Sequence, residues 1–329
     1  MCRKLIVVIG SIWWLLASIL YAEPTVSPIT FHSIWGYMLI GDEVSLSLKE
    51  PLTDIFYFGA SVSATGSVHA VVNRPKITFL NGSSPAIHVV ISETAYNAAL
   101  MHFCLKENSR TRELLLNDIV RVSRGFDGVQ LDFETILSED APYFFSFLET
   151  LKKRLPRQMV LSVAIPARVG GVKNDPFQYK KLASIVDLIV IMAYDEHWST
   201  SEPGSVASLP WCEKVVTYAK SQIPSNKLLM GLPLYGRSWP DKKYNRGLVF
   251  KQVQNLMTQY QGTANYTVET GPYFEFQDTL RVKVFYEDDR SLAEKLKLYQ
   301  YANIQGVAFW RIGQESKDLW GKLGLMPKP

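Results

Sequence analysis

The stretch Asp127-Gly128-Val129-Gln130-Leu131-Asp132-Phe133-Glu134 decides how the rest of the chain is read. Successive side chains of a β-strand point to opposite faces. Gln130, Asp132 and Glu134 therefore share one face, and Val129, Leu131 and Phe133 take the other. The apolar set can pack under helices, which turns two carboxylates and an amide towards the inside of a barrel. Asp127 falls out of this parity and reads as a structural residue where the strand begins. Similar apolar runs occur at 34–39, 55–60, 87–91, 128–133, 159–165, 188–193, 228–234 and 306–310. Each is nearly continuous, as expected of strands covered on both faces. Helical patterns lie between them, at 113–122 and 143–155. In the second, Phe144, Phe147, Leu148, Leu151 and Leu155 recur at steps of three and four, and Ser138 is placed to cap the turn leading into it. Alternating strands and helices imply parallel pairing. Eight units in 329 residues predict an α/β fold, a closed (β/α)₈ TIM barrel, where six or seven would have favoured an open sheet.

One segment breaks the alternation. Residues 271–276 and 282–286 alternate like half-exposed strands around the turn Gln277-Asp278-Thr279. They predict a small β-rich insertion between strands 7 and 8, at about 244–290. With no repeat or linker in sight, residues 23–329 read as one decorated barrel.

Hydrophobic residues make up 47% and charged residues 20%, a balance that supports a buried core and excludes disorder. The net charge is +4, but Arg3 and Lys4 supply two of those charges. Beyond them 33 basic face 31 acidic residues, a poor footprint for nucleic acid. Met1-Cys2-Arg3-Lys4 followed by an uncharged run over 5–20 reads as a secretory signal ending near Ala22. An uncleaved membrane anchor through residues 5–22 is the alternative, because the run approaches spanning length. Either way the expectation is export, to the periplasm, the cell envelope or the medium. Cys104 and Cys212 then remain, read as buried thiols. Five scattered histidines form no ligand cluster, and no metal is expected.

In a barrel of this kind, polar groups at the C-terminal strand ends are the first candidates for function. Asp132 and Glu134 end the fourth run. Two carboxylates this close cannot both ionise at low cost, so one should hold a proton near neutral pH, as a general acid requires. The sixth run ends in Met192-Ala193-Tyr194-Asp195-Glu196-His197, the seventh in Tyr235-Gly236-Arg237, and the eighth in Phe309-Trp310-Arg311. Carboxylates and aromatics converging on one mouth suit a sugar, whose ring offers a stacking face and hydroxyls to bind.

These stretches resemble glycoside hydrolase family 18, the chitinase-like barrels, and within it the bacterial spore-cortex and cell-wall N-acetylglucosaminidases. The fourth-strand signature maps onto Asp127, Gln130, Asp132 and Glu134, the Met-x-Tyr-Asp motif onto Met192, Tyr194 and Asp195, the Tyr-Gly-Arg motif onto Tyr235, Gly236 and Arg237, and the last-strand tryptophan onto Trp310. Asp195-Glu196-His197, Glu287-Asp288 with Ser291 and Lys295, and Phe309-Trp310-Arg311-Ile312-Gly313 resemble that branch in particular. One position departs: Gln130 stands where chitinases carry Asp and the wall-lytic branch often carries Asn, although its amide could still hydrogen-bond Asp132.

The resemblance implies retaining hydrolysis assisted by the substrate's acetamido group, with no cofactor. Glu134 would be the acid and base, Asp132 would orient the acetamido group, and Tyr194 would hold its carbonyl oxygen. Gln130, Met192, Asp195, Tyr235, Arg237 and Trp310 would contact the sugar, while Glu196 and His197 read as loop hydrogen-bonders. The implied substrate contains N-acetylglucosamine: peptidoglycan first, then chitin oligomers, then N-glycans. A sugar-binding lectin and a purely structural envelope protein are the competing classes.

Overall fold

The computed structural model describes residues 27–70, 73–93, 96–240 and 245–326. The leader read at 1–22 lies outside them. Among the described residues no helix is long and apolar enough to cross a membrane.

All eight apolar runs form parallel strands: β1 (Ser33–Leu39), β2 (Asp54–Val62), β3 (Ala86–Ser92), β4 (Gly128–Asp132), β5 (Val160–Pro166), β6 (Leu188–Met192), β7 (Leu228–Pro233) and β8 (Gly306–Trp310). β1 pairs with both β2 and β8, which closes the barrel. Register brings the strand ends to one rim: Asp132 lies opposite Ser92, Met192 opposite Pro166, and Trp310 opposite Pro233. Residues far apart in sequence thus meet at one mouth.

The period-two reading of β4 holds. Val129, Leu131 and Phe133 are buried in the outer core shared with the helices, whereas Gln130 points into the barrel, where Tyr37 and Ser162 meet it. The barrel interior is strongly aromatic. Trp35 packs on Phe56 at 4.5 Å, Phe56 stacks on Tyr37 at 4.6 Å, and Tyr37 meets Trp310 at 5.3 Å between ring centroids. This column rises from the barrel floor to the mouth.

The helices α1 (Ala98–Leu105), α2 (Arg110–Val122), α3 (Ala141–Arg154), α4 (Tyr179–Ala183), α5 (Leu209–Gln222) and α7 (Asp289–Tyr301) lie in the sequence between β3 and β8, and α6 (Phe250–Gln259) belongs to the insertion between β7 and β8. In α3 the predicted stripe is buried at Phe144, Phe147, Leu148 and Leu151, each side chain contributing about 1.5–3 kcal/mol. Ser138 opens a 3₁₀ turn, Ser138–Asp140, and the cap position of α3 falls to Asp140. That carboxylate takes His102 Nδ1 at 2.7 Å instead of a backbone N–H. Strict alternation fails early in the chain, where a 3₁₀ turn (Asp42–Ser45) follows β1 and an antiparallel strand (Val68–Ala70) follows β2. Gly41-Asp42-Glu43 and Lys49-Glu50-Pro51 supply no helical apolar stripe there.

The insertion is a five-stranded antiparallel sheet in the order Arg246–Val249, Tyr235–Trp239, Arg281–Phe285, Gly271–Gln277 and Asn265–Thr267. Both alternating runs are strands of it. The sheet also takes in Tyr235–Trp239 directly after β7, so it begins upstream of residue 244. It shares a core of Leu248, Phe274 and Val284 with Val253 of α6.

Candidate active site

Asp132 is the last residue of β4, and Glu134 lies two residues on at the open mouth. Asp132 Oδ1 is buried with no hydrogen-bond partner among the described residues. Burial, and then the facing charge of Glu134, push the Asp132 carboxyl up to about 7. Glu134 is also raised, by burial first and then by Asp195 and Glu93. Both groups are therefore suited to holding a proton above the ordinary carboxyl range.

β6 delivers the opposite wall. Met192 ends the strand, Tyr194 follows, and Asp195 adopts a left-handed backbone at φ 57°. Gly231 on the neighbouring β7 leaves the space these residues need, since a Cβ there would approach Ile191 O to 2.7 Å and the Tyr194 ring to 3.0 Å. Burial, then Tyr37 and Tyr235, hold the Tyr194 phenol well above its usual range, so it remains a neutral donor. Tyr235 donates to Asp195 Oδ1 at 2.7 Å, and Arg237 Nη2 lies 3.5 Å from the same oxygen. Arg237 Nη1 in turn donates to Asn245 at 2.9 Å.

A cavity of about 370 Å³ gathers these groups: Asp132 and Glu134 from β4, Met192, Tyr194 and Asp195 from β6, and Tyr235 and Trp310. Trp310 packs against Tyr37 and, edge-on at 5.0 Å, against Phe58. An adjoining cavity of about 330 Å³ shares Asp195, Tyr235 and Trp310 and adds Arg237. Among the described residues the first cavity is lined by three carboxylates and no basic side chain, so it suits a neutral sugar unit. A Glu134 carboxyl raised above its ordinary range, a neutral phenol and an indole can protonate a glycosidic oxygen and hold the ring that carries it.

The family model for glycosyl hydrolases family 18 matches residues 43–315. The chain belongs to this family. It is similar to the cortical fragment-lytic enzyme of Bacillus anthracis, with 26% identity over 325 residues covering 92% of this chain and 73% of that protein. Its fold is similar to that of the Bacillus cereus spore cortex-lytic enzyme SleL, with a TM-score of 0.79 and 23% identity over 92% of this chain and 76% of that one. A chitinase from Chromobacterium violaceum also gives a TM-score of 0.79, at 23% identity, over 88% and 97% of the two chains. Within family 18 the chain is thus similar to the spore-cortex branch, and its coarse class is glycosidase.

Four further positions, Asp127, Gln130, Glu196 and His197, are not among the residues lining either cavity. Asp127 is at the far end of β4, where its carboxylate accepts from Ile87 N at 2.8 Å and Arg74 at 2.7 Å, joining β4 to the chain around β3. Glu196 accepts from Ser208 N at 2.7 Å, and His197 Nδ1 lies 2.9 Å from Ser205 O, so both build the loop into α5. Gln130 requires a correction. It is fully buried and is not among the residues lining either cavity. Tyr37 donates to its Oε1 at 2.9 Å, and its Nε2 reaches Ser162 Oγ at 3.4 Å, so its amide is engaged below Asp132 and not with it.

Sequence reasoning missed Tyr37, Ser162, Glu93 and Trp211. Tyr37 and Ser162 were accessible in principle, as inward-facing positions of recognised strands. Glu93 is buried just past β3 and donates its N–H to Asp132 O at 3.0 Å. Trp211 sits in the first turn of α5 and lines the cavity. It gave no signal, because only the course of the preceding loop brings it there.

Proposed function

We propose that this family 18 enzyme hydrolyses glycosidic bonds at N-acetylglucosamine in peptidoglycan or chitin-like glycans, with retention at the anomeric carbon. Family 18 is an exception to the two-carboxylate pattern of glycosidases, because the substrate's acetamido oxygen serves as nucleophile. Glu134 donates its proton to the glycosidic oxygen as that oxygen's bond to the anomeric carbon breaks. The acetamido oxygen, held by the Tyr194 hydroxyl, closes on the same carbon to form an oxazolinium ion. Asp132 orients the acetamido N–H, and the Glu134 carboxylate left by that proton transfer balances the positive charge. Water then attacks the anomeric carbon, Glu134 takes the water's proton, and the acetamido group is released. Trp310 floors the subsite, while Asp195, Tyr235 and Arg237 contact the sugar on the neighbouring side.

The observation that carries this reading is the placing of a raised Glu134, a half-buried and raised Asp132 and a neutral Tyr194 around one cavity that Trp310 also lines. Similarity to the cortical fragment-lytic enzyme favours peptidoglycan over chitin. The basic start and the uncharged run at 5–20 support export to the envelope. The test is release of reducing ends from peptidoglycan and from chitin oligomers by the wild type beside Glu134→Gln. Glu134→Gln should lower turnover by about 10²–10⁴-fold while sugar binding survives. Release from chitin oligomers alone would move the substrate to chitin. Sugar binding with no hydrolysis by the wild type would turn the protein into a lectin.

A further inference from the structure

Gln130, Tyr37 and Ser162 come from three different strands, and each is at most 2% exposed. A buried amide has to satisfy both its oxygen and its nitrogen. Here the oxygen accepts from Tyr37 and the nitrogen reaches Ser162. Asp132, two residues along and on the same face, keeps a buried oxygen with no donor among the described residues. We propose that Tyr37 and Ser162 are positioning residues that hold the Gln130 amide away from Asp132, leaving Asp132 to face Glu134 with no donor beneath it.

The titratable groups around Asp132 are Glu134 just past the end of its strand, Tyr37 on β1, Glu93 and Tyr96 beyond β3, and Tyr194 and Asp195 beyond β6. None of these is a cation. A donated N–H would favour the charged carboxylate and lower its pKa, whereas Asp132 is raised by burial and by Glu134. The consequence for catalysis rests on the reading of Asp132 and Glu134 as the reacting pair. When Glu134 loses its proton to the leaving group, it becomes an anion beside a neutral Asp132 and not beside a second anion.

The test is a carboxyl ¹³C NMR titration of the full chain, with the Asp132 resonance identified by its loss in Asp132→Asn. Ser162→Ala frees the amide to turn towards Asp132, and the Asp132 midpoint should fall by about one unit, a tenfold loss of proton affinity. Ser162→Thr keeps the hydroxyl and should keep the wild-type midpoint. Gln130→Met removes the amide and should not lower the midpoint or raise it, because no amide donates to Asp132 in the wild type. A higher midpoint in Gln130→Met, or an unchanged one in Ser162→Ala, overturns the proposal. If Ser162→Ala does not fold, Gln130→Met decides alone. Failure of glycan hydrolysis would strike the proposed function and leave this titration readable. In an active enzyme, the pH profile of kcat/KM should move with the midpoint across the series.

Discussion

Asp132 sits where an ionised carboxylate is costly, and that cost has a sign that can be tested. Its ordinary pKa is 3.8 and its folded value is about 7. Below the lower value the group is neutral in both states, and the folded protein holds its full share of stability. As pH rises towards 7 the unfolded chain ionises this group while the folded chain retains the proton, so stability is lost across that window. Asp132→Asn removes the penalty. It should melt roughly 3–8 °C above the wild type at pH 8, corresponding to about 2–4 kcal/mol, and no higher at pH 4. Thermal unfolding at the two pH values checks this, and equal shifts at both would sink it. The parity of Gln130 was legible, but its hydrogen-bond partners were not, since they lie on β1 and β5.

At the scale of elements, β4 is the strand whose sequence carries most, because a period of two assigns every side chain to a face. The loop from β6 to α5 is the opposite case. Glu196 and His197 shape it through Ser208 and Ser205, and Gly204 makes room for the imidazole: a Cβ there would come within 2.4 Å of the His197 ring. Gly204→Ala should therefore destabilise the protein by about 1–3 kcal/mol through overpacking. By displacing His197 it should also loosen the segment that carries Asp195, raising KM more than it lowers kcat. Thermal melts with steady-state kinetics on a chitin oligomer check both parts; a fall in kcat alone would contradict the second.

For the molecule as a whole, the insertion has to be joined firmly to the barrel, since Tyr235 and Arg237 lie on its sheet. Glu287, just past the last insertion strand, meets Lys295 of α7 at 2.8 Å, and Ser291 donates to the same carboxylate oxygen at 2.6 Å. Burial works to strip the proton from Lys295, but the facing Glu287 outweighs it and keeps the ammonium charged. Glu287→Gln leaves that charge buried without its counter-ion and should cost about 3–5 kcal/mol, whereas Glu287→Leu with Lys295→Met should cost less. Urea unfolding of the two variants compares them, and equal losses would mean that the pair does not act as a unit. The sequence by itself determined the eight strands, the inward face of β4 and the residues ending β4, β6 and β8, because burial on both faces and alternation are local properties of a strand. Tertiary structure alone decided that Ser162 and Tyr37 engage Gln130, that Trp211 enters the cavity wall, and that Tyr235 and Arg237 stand on a separate sheet. Those contacts depend on register between strands and on the course of long loops, which no local pattern encodes.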